Sequence, residues 1–173
     1  GVSYGTISEN GRGIWITPDS NGTPVGRIII EHNLFKNLTS YSVRSQSIQK
    51  DITIKENSMG NQGTSSFIRL FVSKSSPNLS WFENTKILNN FMGQTGNDPY
   101  FGVELVGSPR YGIWLNSASP IIKGNIIKGD LKAPLYGDHN SNPIIGGSDL
   151  LDNSLCGGYE KNCISGGESN GIY

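Results

Sequence analysis

Trp15, Trp114 and Tyr136 occupy matching places in short segments, Gly13-Ile14-Trp15-Ile16, Gly112-Ile113-Trp114-Leu115 and Pro134-Leu135-Tyr136-Gly137. If the Ile or Leu of each segment points inward, alternation along a strand sends the ring outward. Outward rings at matching positions form a partial stripe, with Ser42 and Arg69 between them and Tyr173 as a later member. Such a stripe offers stacking surface to a glycan or to a protein partner. The competing expectation is packing beneath a covering loop. Glu104 and Arg110 add charge within the longest loop, beside Tyr100, Phe101, Tyr111 and Trp114. Aromatic faces next to charged groups suit a sugar; the plainer alternative is that Phe101 and Trp114 fill core space under that loop.

Acid–base chemistry has one candidate group. Glu31 and His32 precede a polar corner at Asn33, and Glu56 takes the place equivalent to His32 one repeat later. That placement stacks Glu56 beneath His32 on an outer face, either as an acid–base pair or as a solvated contact between neighbouring strands. Asp138-His139-Asn140 reads as a turn, with contact to a sugar or cation as the alternative. Asp19, Asp51, Asp98, Asp130, Asp138, Asp149 and Asp152 are scattered, and only alignment across repeats would gather them. Cys156 and Cys163 enclose Gly157-Gly158, which lets a small disulfide loop close and implies an oxidising compartment; two reduced thiols in a turn is the other reading. Two Cys with no nearby His do not complete a zinc shell, so no metal site is expected.

These residues need a scaffold, and the scaffold is written in repeats. Pro120-Ile121-Ile122-Lys123-Gly124-Asn125-Ile126-Ile127 recurs in outline as Pro143-Ile144-Ile145-Gly146-Gly147-Ser148-Asp149-Leu150. Weaker copies begin at Arg27, Asp51 and Asn84. In each copy an Ile stands three residues before the corner: Ile30/Asn33, Ile54/Asn57, Ile87/Asn90, Ile122/Asn125, Ile145/Ser148. Two residues after it comes Phe35, Met59, Met92, Ile127 or Leu150. The pattern predicts strand, corner, strand, with those side chains inward. The corner residues Asn33, Asn57, Asn90 and Asn125 tolerate left-handed backbone, and each amide can bond its equivalent one repeat away, so a structural asparagine ladder is expected.

A further β-branched or aromatic segment precedes each copy, at 13–16, 41–44, 67–71, 112–115 and 134–137. Three short strands per turn, wound about five times, predict an all-β, right-handed, single-stranded parallel β-helix. Uneven spacing of the corners predicts excursions at 62–66, 73–82 and 95–110, the last with a strand of its own at 101–105. Residues 5–11 resemble 162–171, and neither reads as a polar cap. The expectation is one domain over 1–173, either a fragment of a longer solenoid or a subunit that associates end to end.

Composition narrows the function classes. Net charge is +0, charged residues are only 16 % and glycine numbers 23, which suits tight turns. No basic stripe marks a nucleic-acid binder, and no run reaches the ~18 apolar residues of a membrane span. No signal-peptide pattern is read at residue 1, which is also what a mature secreted protein is expected to show.

The run Gly-Ile-Trp-Leu-Asn-Ser-Ala-Ser-Pro-Ile-Ile-Lys-Gly-Asn-Ile-Ile-Lys-Gly at 112–129 resembles the repeat of the pectate-lyase-like superfamily of parallel β-helices. It is most similar to secreted and surface bacterial repeat proteins. The resemblance implies the fold more strongly than an activity, since the superfamily includes lyases, hydrolases, epimerases, tailspikes and non-catalytic adhesins. The Asn-Thr-Asp, Asp-Asp, Gly-His-Gly and Arg-Ile-Lys motifs of its hydrolases are absent from the chain. Its lyases combine a calcium cluster of Asp with a basic residue. The resemblance therefore implies a non-catalytic extracellular or cell-surface region serving as scaffold, adhesin or glycan-binding face. The alternative is part of a polysaccharide lyase or glycoside hydrolase acting on acidic or surface polysaccharide. No cofactor is expected; calcium is the ion the lyase alternative would bring. The expected partner is a polysaccharide or cell-surface glycan.

Overall fold

The computed structural model describes residues 2–8, 11–17, 26–46, 50–61, 63, 65–71, 84–93, 96–107, 109–129, 131–138, 141–146 and 163–165. Among them there is no helix, and the strands pair in parallel except in one short hairpin.

Two parallel sheets account for the rest. The ten-stranded sheet is two ladders joined through one long strand, β3 (Ile28–Leu38). From the first half of β3 run β5 (Ile52–Lys55), β8 (Lys86–Leu88), β13 (Ile121–Lys123) and β16 (Ile144–Ile145). From its second half run β6 (Ser58–Asn61), β9 (Phe91–Gly93), β14 (Ile126–Lys128) and β17 (Cys163–Ser165). β1 (Val2–Ser8) lies along the other edge of β3. The five-stranded sheet stacks β2 (Ile14–Ile16), β4 (Val43–Gln46), β7 (Ser66–Phe71), β12 (Tyr111–Asn116) and β15 (Ala133–Asp138) in sequence order. The antiparallel hairpin is β10 (Gly96–Asn97) with β11 (Glu104–Leu105).

Period-two alternation fills the interior. Ile30, Ile54, Ile87, Ile122 and Ile145 are successive register partners, and all but Ile145, at the end of the row, are buried. A second buried column runs Phe35, Met59, Met92 and Ile127, and the backbone register continues it to Ile7 and Ile164. Ile164 stands where the repeat pattern predicts Leu150, so the last return of the chain is longer than the pattern implies; Ser148 and Leu150 lie outside the described residues. Inward side chains of both sheets share one core, with Ile68, Leu70, Ile113, Leu115 and Leu135 from the five-stranded sheet.

The corners differ from expectation in one respect. The left-handed residues are His32 (φ 51), Glu56 (φ 53), Asn89 (φ 53) and Gly124 (φ 62), each one place before the asparagine. The asparagines are thereby free to point inward. A Cβ on Gly124 would lie 2.0 Å from the Asn89 side-chain oxygen, which rests on that corner. Because a side-chain tip can move, Gly124→Ala should cost only about 1–2 kcal/mol, mostly from its left-handed backbone. Urea denaturation would measure it, and Asn89→Gly in the same chain should recover the steric part.

Candidate functional site

The outer face of the five-stranded sheet carries a continuous row. Its strands place Ile14, Val43, Ile68, Ile113 and Leu135 in register, so the next residue of each faces out. Those residues are Trp15, Arg44, Arg69, Trp114 and Tyr136, partnered in that order. The expected place of Ser42 belongs instead to Arg44: Ser42 is fully buried, and its carbonyl accepts a bond from the Ile14 amide. Tyr173 lies outside the described residues.

Arginine and aromatic groups interleave along this row. The Arg69 guanidinium sits 3.8 Å from the Trp114 ring centre and 4.8 Å from that of Phe71. Arg44 and Arg12 lie 4.8 Å and 4.7 Å from the centre of Trp15, which is 43 % exposed. Tyr111 stacks on Tyr136 at 4.7 Å, tilts against Trp114 at 5.1 Å, and carries Arg110 at 5.3 Å. Each cation–π contact of this kind is worth roughly 0.5–2 kcal/mol according to its exposure.

Hydrogen bonds hold the guanidinium planes. Arg69 donates to the Tyr41 hydroxyl at 2.7 Å, and Arg44 to the Gln46 side chain at 3.1 Å. Burial pushes the Tyr41 phenol up, but bonds to Ser65 and Arg69 and the charges of Arg69 and Arg44 outweigh it and leave the group below its ordinary value. Burial lowers the Arg44 guanidinium, with Arg69 and Arg12 adding repulsion and Tyr41 opposing them. Among the described residues, no carboxylate pairs with Arg12, Arg44, Arg69 or Arg110. Among the described residues the row is therefore cationic, on a chain of zero net charge, and an anion would relieve the crowding.

The remaining loop residues do not join the row. Glu104 is exposed on β11, whose Leu105 packs with Leu34, Phe91 and Ile126 on the outside of the second ladder. Phe101 and Val103 cover the same cluster, while Trp114 faces outward, so neither Phe101 nor Trp114 enters the main core. Arg110 instead heads β12, over Tyr111. Asp98 fastens the hairpin: it accepts the amides of Tyr100, Phe101 and Val103 and the hydroxyl of Ser58. Arg12, Arg44 and Tyr41 are members that sequence reading missed. The available signal was Val43, the β-branched inward residue that puts Arg44 next in line.

A second group lies at the corners of the long sheet. His32 Nε2 is 3.0 Å from Glu56 Oε2, and Lys55 Nζ is 2.8 Å from Glu31 Oε2. The Lys55 hydrogen bond is the chief cause holding the Glu31 carboxyl below its ordinary 4.5, against an opposing push from desolvation. A depressed carboxyl contributes stability above its unfolded value and loses it as pH falls through the folded value. Lys55→Met should thus move the Glu31 titration up towards 4.5, measured by carboxyl NMR. The Tyr100 ring stands edge-on to His32 at 6.3 Å, and its hydroxyl donates to the Asn89 carbonyl. Burial, then Glu56 and Asp98, push that phenol up to about 12, so it remains a donor.

Beneath these corners runs the asparagine ladder. The amide N–H of Asn33, Asn57 and Asn90 donates to the Oδ1 of the next asparagine at 3.0, 3.1 and 2.9 Å, Asn125 being the last of these acceptors among the described residues. Each Nδ2 repeats the contact at 3.1, 2.9 and 2.9 Å. All four are buried. Their role is to close the corners.

Among the described residues, the aspartates Asp51, Asp98 and Asp138 do not converge. Asp51 is bonded by Asn84, Asp98 holds the hairpin, and the Asp138 carbonyl accepts Ser141. Asp19, Asp130, His139, Asn140, Asp149, Asp152 and Cys156 lie outside the described residues, and Cys163 is described only as backbone of β17. Among the described residues, Glu31, His32 and Glu56 are the one group of three potential metal ligands, where sequence reading expected no metal site. No family model, curated protein or solved structure matches this chain.

Proposed function

We propose that this chain forms turns of a right-handed parallel β-helix of the pectate-lyase-like kind, whose arginine–aromatic row binds an anionic polysaccharide outside the cell without cleaving it. Support for the winding comes from three sequence-ordered parallel ladders around one core and from the asparagine ladder at one set of corners. The observation that carries the binding reading is the in-register row Trp15, Arg44, Arg69, Trp114 and Tyr136. At ~4.8 Å per strand, five strands give a row of roughly 19 Å, suited to several sugar units. Sugar rings stack on Trp15 and Trp114, while guanidinium edges take carboxylate or sulfate groups.

Catalysis is the second reading, favoured only by the closeness of Glu31 and Glu56. Glycoside hydrolysis needs one carboxyl free to give a proton and another free to attack or take one. Here Lys55 engages Glu31 and His32 engages Glu56. A titration panel of oligogalacturonate, alginate oligosaccharide, a sulfated glycan and a neutral glucan tests the proposal. Binding of the acidic members with no gain in reducing ends or ultraviolet absorbance is expected. Binding of none would sink it, and product formation would transfer the assignment to an enzyme.

A further inference from the structure

Glu31, His32 and Glu56 each offer one ligand atom, and the three atoms lie within 4.8 Å of one another. Strand register brings them together: Glu31 pairs with Lys55, so the next residues, His32 and Glu56, meet at adjacent corners. The corners are rigid mounts, because the ladder bonds from Asn33 to Asn57 fix the backbone immediately behind them. Tyr100, tied to the Asn89 carbonyl, stands beside His32.

We propose that Glu31, His32 and Glu56 form a divalent transition-metal site of the zinc class that bridges two neighbouring strands. The donor set is two carboxylates and one imidazole, which balances a dication and selects zinc-like ions over magnesium or calcium. Three protein ligands leave a fourth position for water. Metal–ligand bonds of ~2.0–2.2 Å put tetrahedral ligand atoms about 3.4 Å apart, so from separations within 4.8 Å the group must contract by at most about 1.4 Å. Side-chain rotation supplies that, and the His32–Glu56 separation is already 3.0 Å. Lys55, 2.8 Å from Glu31, holds the place of the cation and must be displaced. This inference stands apart from the glycan reading, since these corners belong to the other sheet.

Zinc chloride titrated into the full chain, followed by calorimetry, should bind with one equivalent. His32→Asn, which suits the left-handed backbone, and Glu56→Gln should each weaken binding by at least about tenfold. Lys55→Met should tighten it by about tenfold, because the competing charge is gone. A gain of affinity cannot come from unfolding, so this variant keeps the test decisive. Cobalt substitution should give a spectrum without thiolate charge transfer, which separates the site from Cys156 and Cys163. No zinc uptake, affinity unmoved by the three variants, or thiolate bands would overturn the proposal.

Discussion

Arg44→Ala combined with Arg69→Ala is expected to weaken binding to an acidic oligosaccharide about a hundredfold. The two guanidinium groups are neighbours in register at the centre of the row, and no carboxylate engages either among the described residues. A charge-assisted hydrogen bond is worth roughly 1.5–3 kcal/mol, and two lost together exceed the ~2.7 kcal/mol that a hundredfold represents. The paired Lys variant separates two causes. It keeps the charge but loses the planar stack on Trp15 and Trp114, so an intermediate loss of about tenfold is expected. Binding should also weaken with salt, as an exposed ionic contact does. Isothermal titration with oligogalacturonate reads all three results. If the double Ala variant bound as tightly as the parent chain, the row would be a structural stack only.

The largest stability loss is expected at the ladder. Asn90→Ala should cost about 4 kcal/mol, read from the urea midpoint. Asn90 Oδ1 accepts the Asn57 amide at 3.1 Å and its Nδ2 at 2.9 Å, while Asn90 Nδ2 donates to the Ile54 carbonyl and to Asn125, each at 2.9 Å. Truncation strands the Asn57 amide at a buried site, and a buried unsatisfied group costs roughly 1–3 kcal/mol. The Ile54 carbonyl and Asn125 lose one partner each, and cooperativity along the chain of amides adds to the sum. Domains of this size are stable by only ~5–15 kcal/mol, so the loss is a large share. Hydrogen exchange gives a sharper reading: the Asn57 amide should exchange faster, since its acceptor is the one removed. Asn142→Ala, at an exposed position, should change stability by less than about 0.5 kcal/mol. A loss at Asn90 no larger than that would mean the ladder contributes nothing net.

Columns of isoleucine are legible in the sequence itself. Ile30, Ile54, Ile87 and Ile122 sit at a constant offset from an asparagine, and an offset is a local property that period-two alternation converts into a face. All-β architecture with parallel strands follows from such short, evenly phrased segments. Placement of the left-handed bend was not legible. Asparagine tolerates that backbone, yet buried amides gain more by pointing inward to the next strand, so His32, Glu56 and Asn89 take the bend. The binding row was half legible. Trp15, Trp114 and Tyr136 share an obvious phrase, whereas Arg44 shares only a β-branched neighbour with them. Its alignment with Trp15 arises from the pairing of β2 with β4, which the whole of β3 separates along the chain.

Convergence of Glu31, His32 and Glu56, the strand pairing of Ile127 with Ile164, and docking of the hairpin through Asp98 and Ser58 were decided in three dimensions. Loops of unequal length separate these partners along the chain, and loop length alone carries almost no information about register. Register is chosen where apolar columns fill and buried amides find acceptors together, which is a property of the packed sheets.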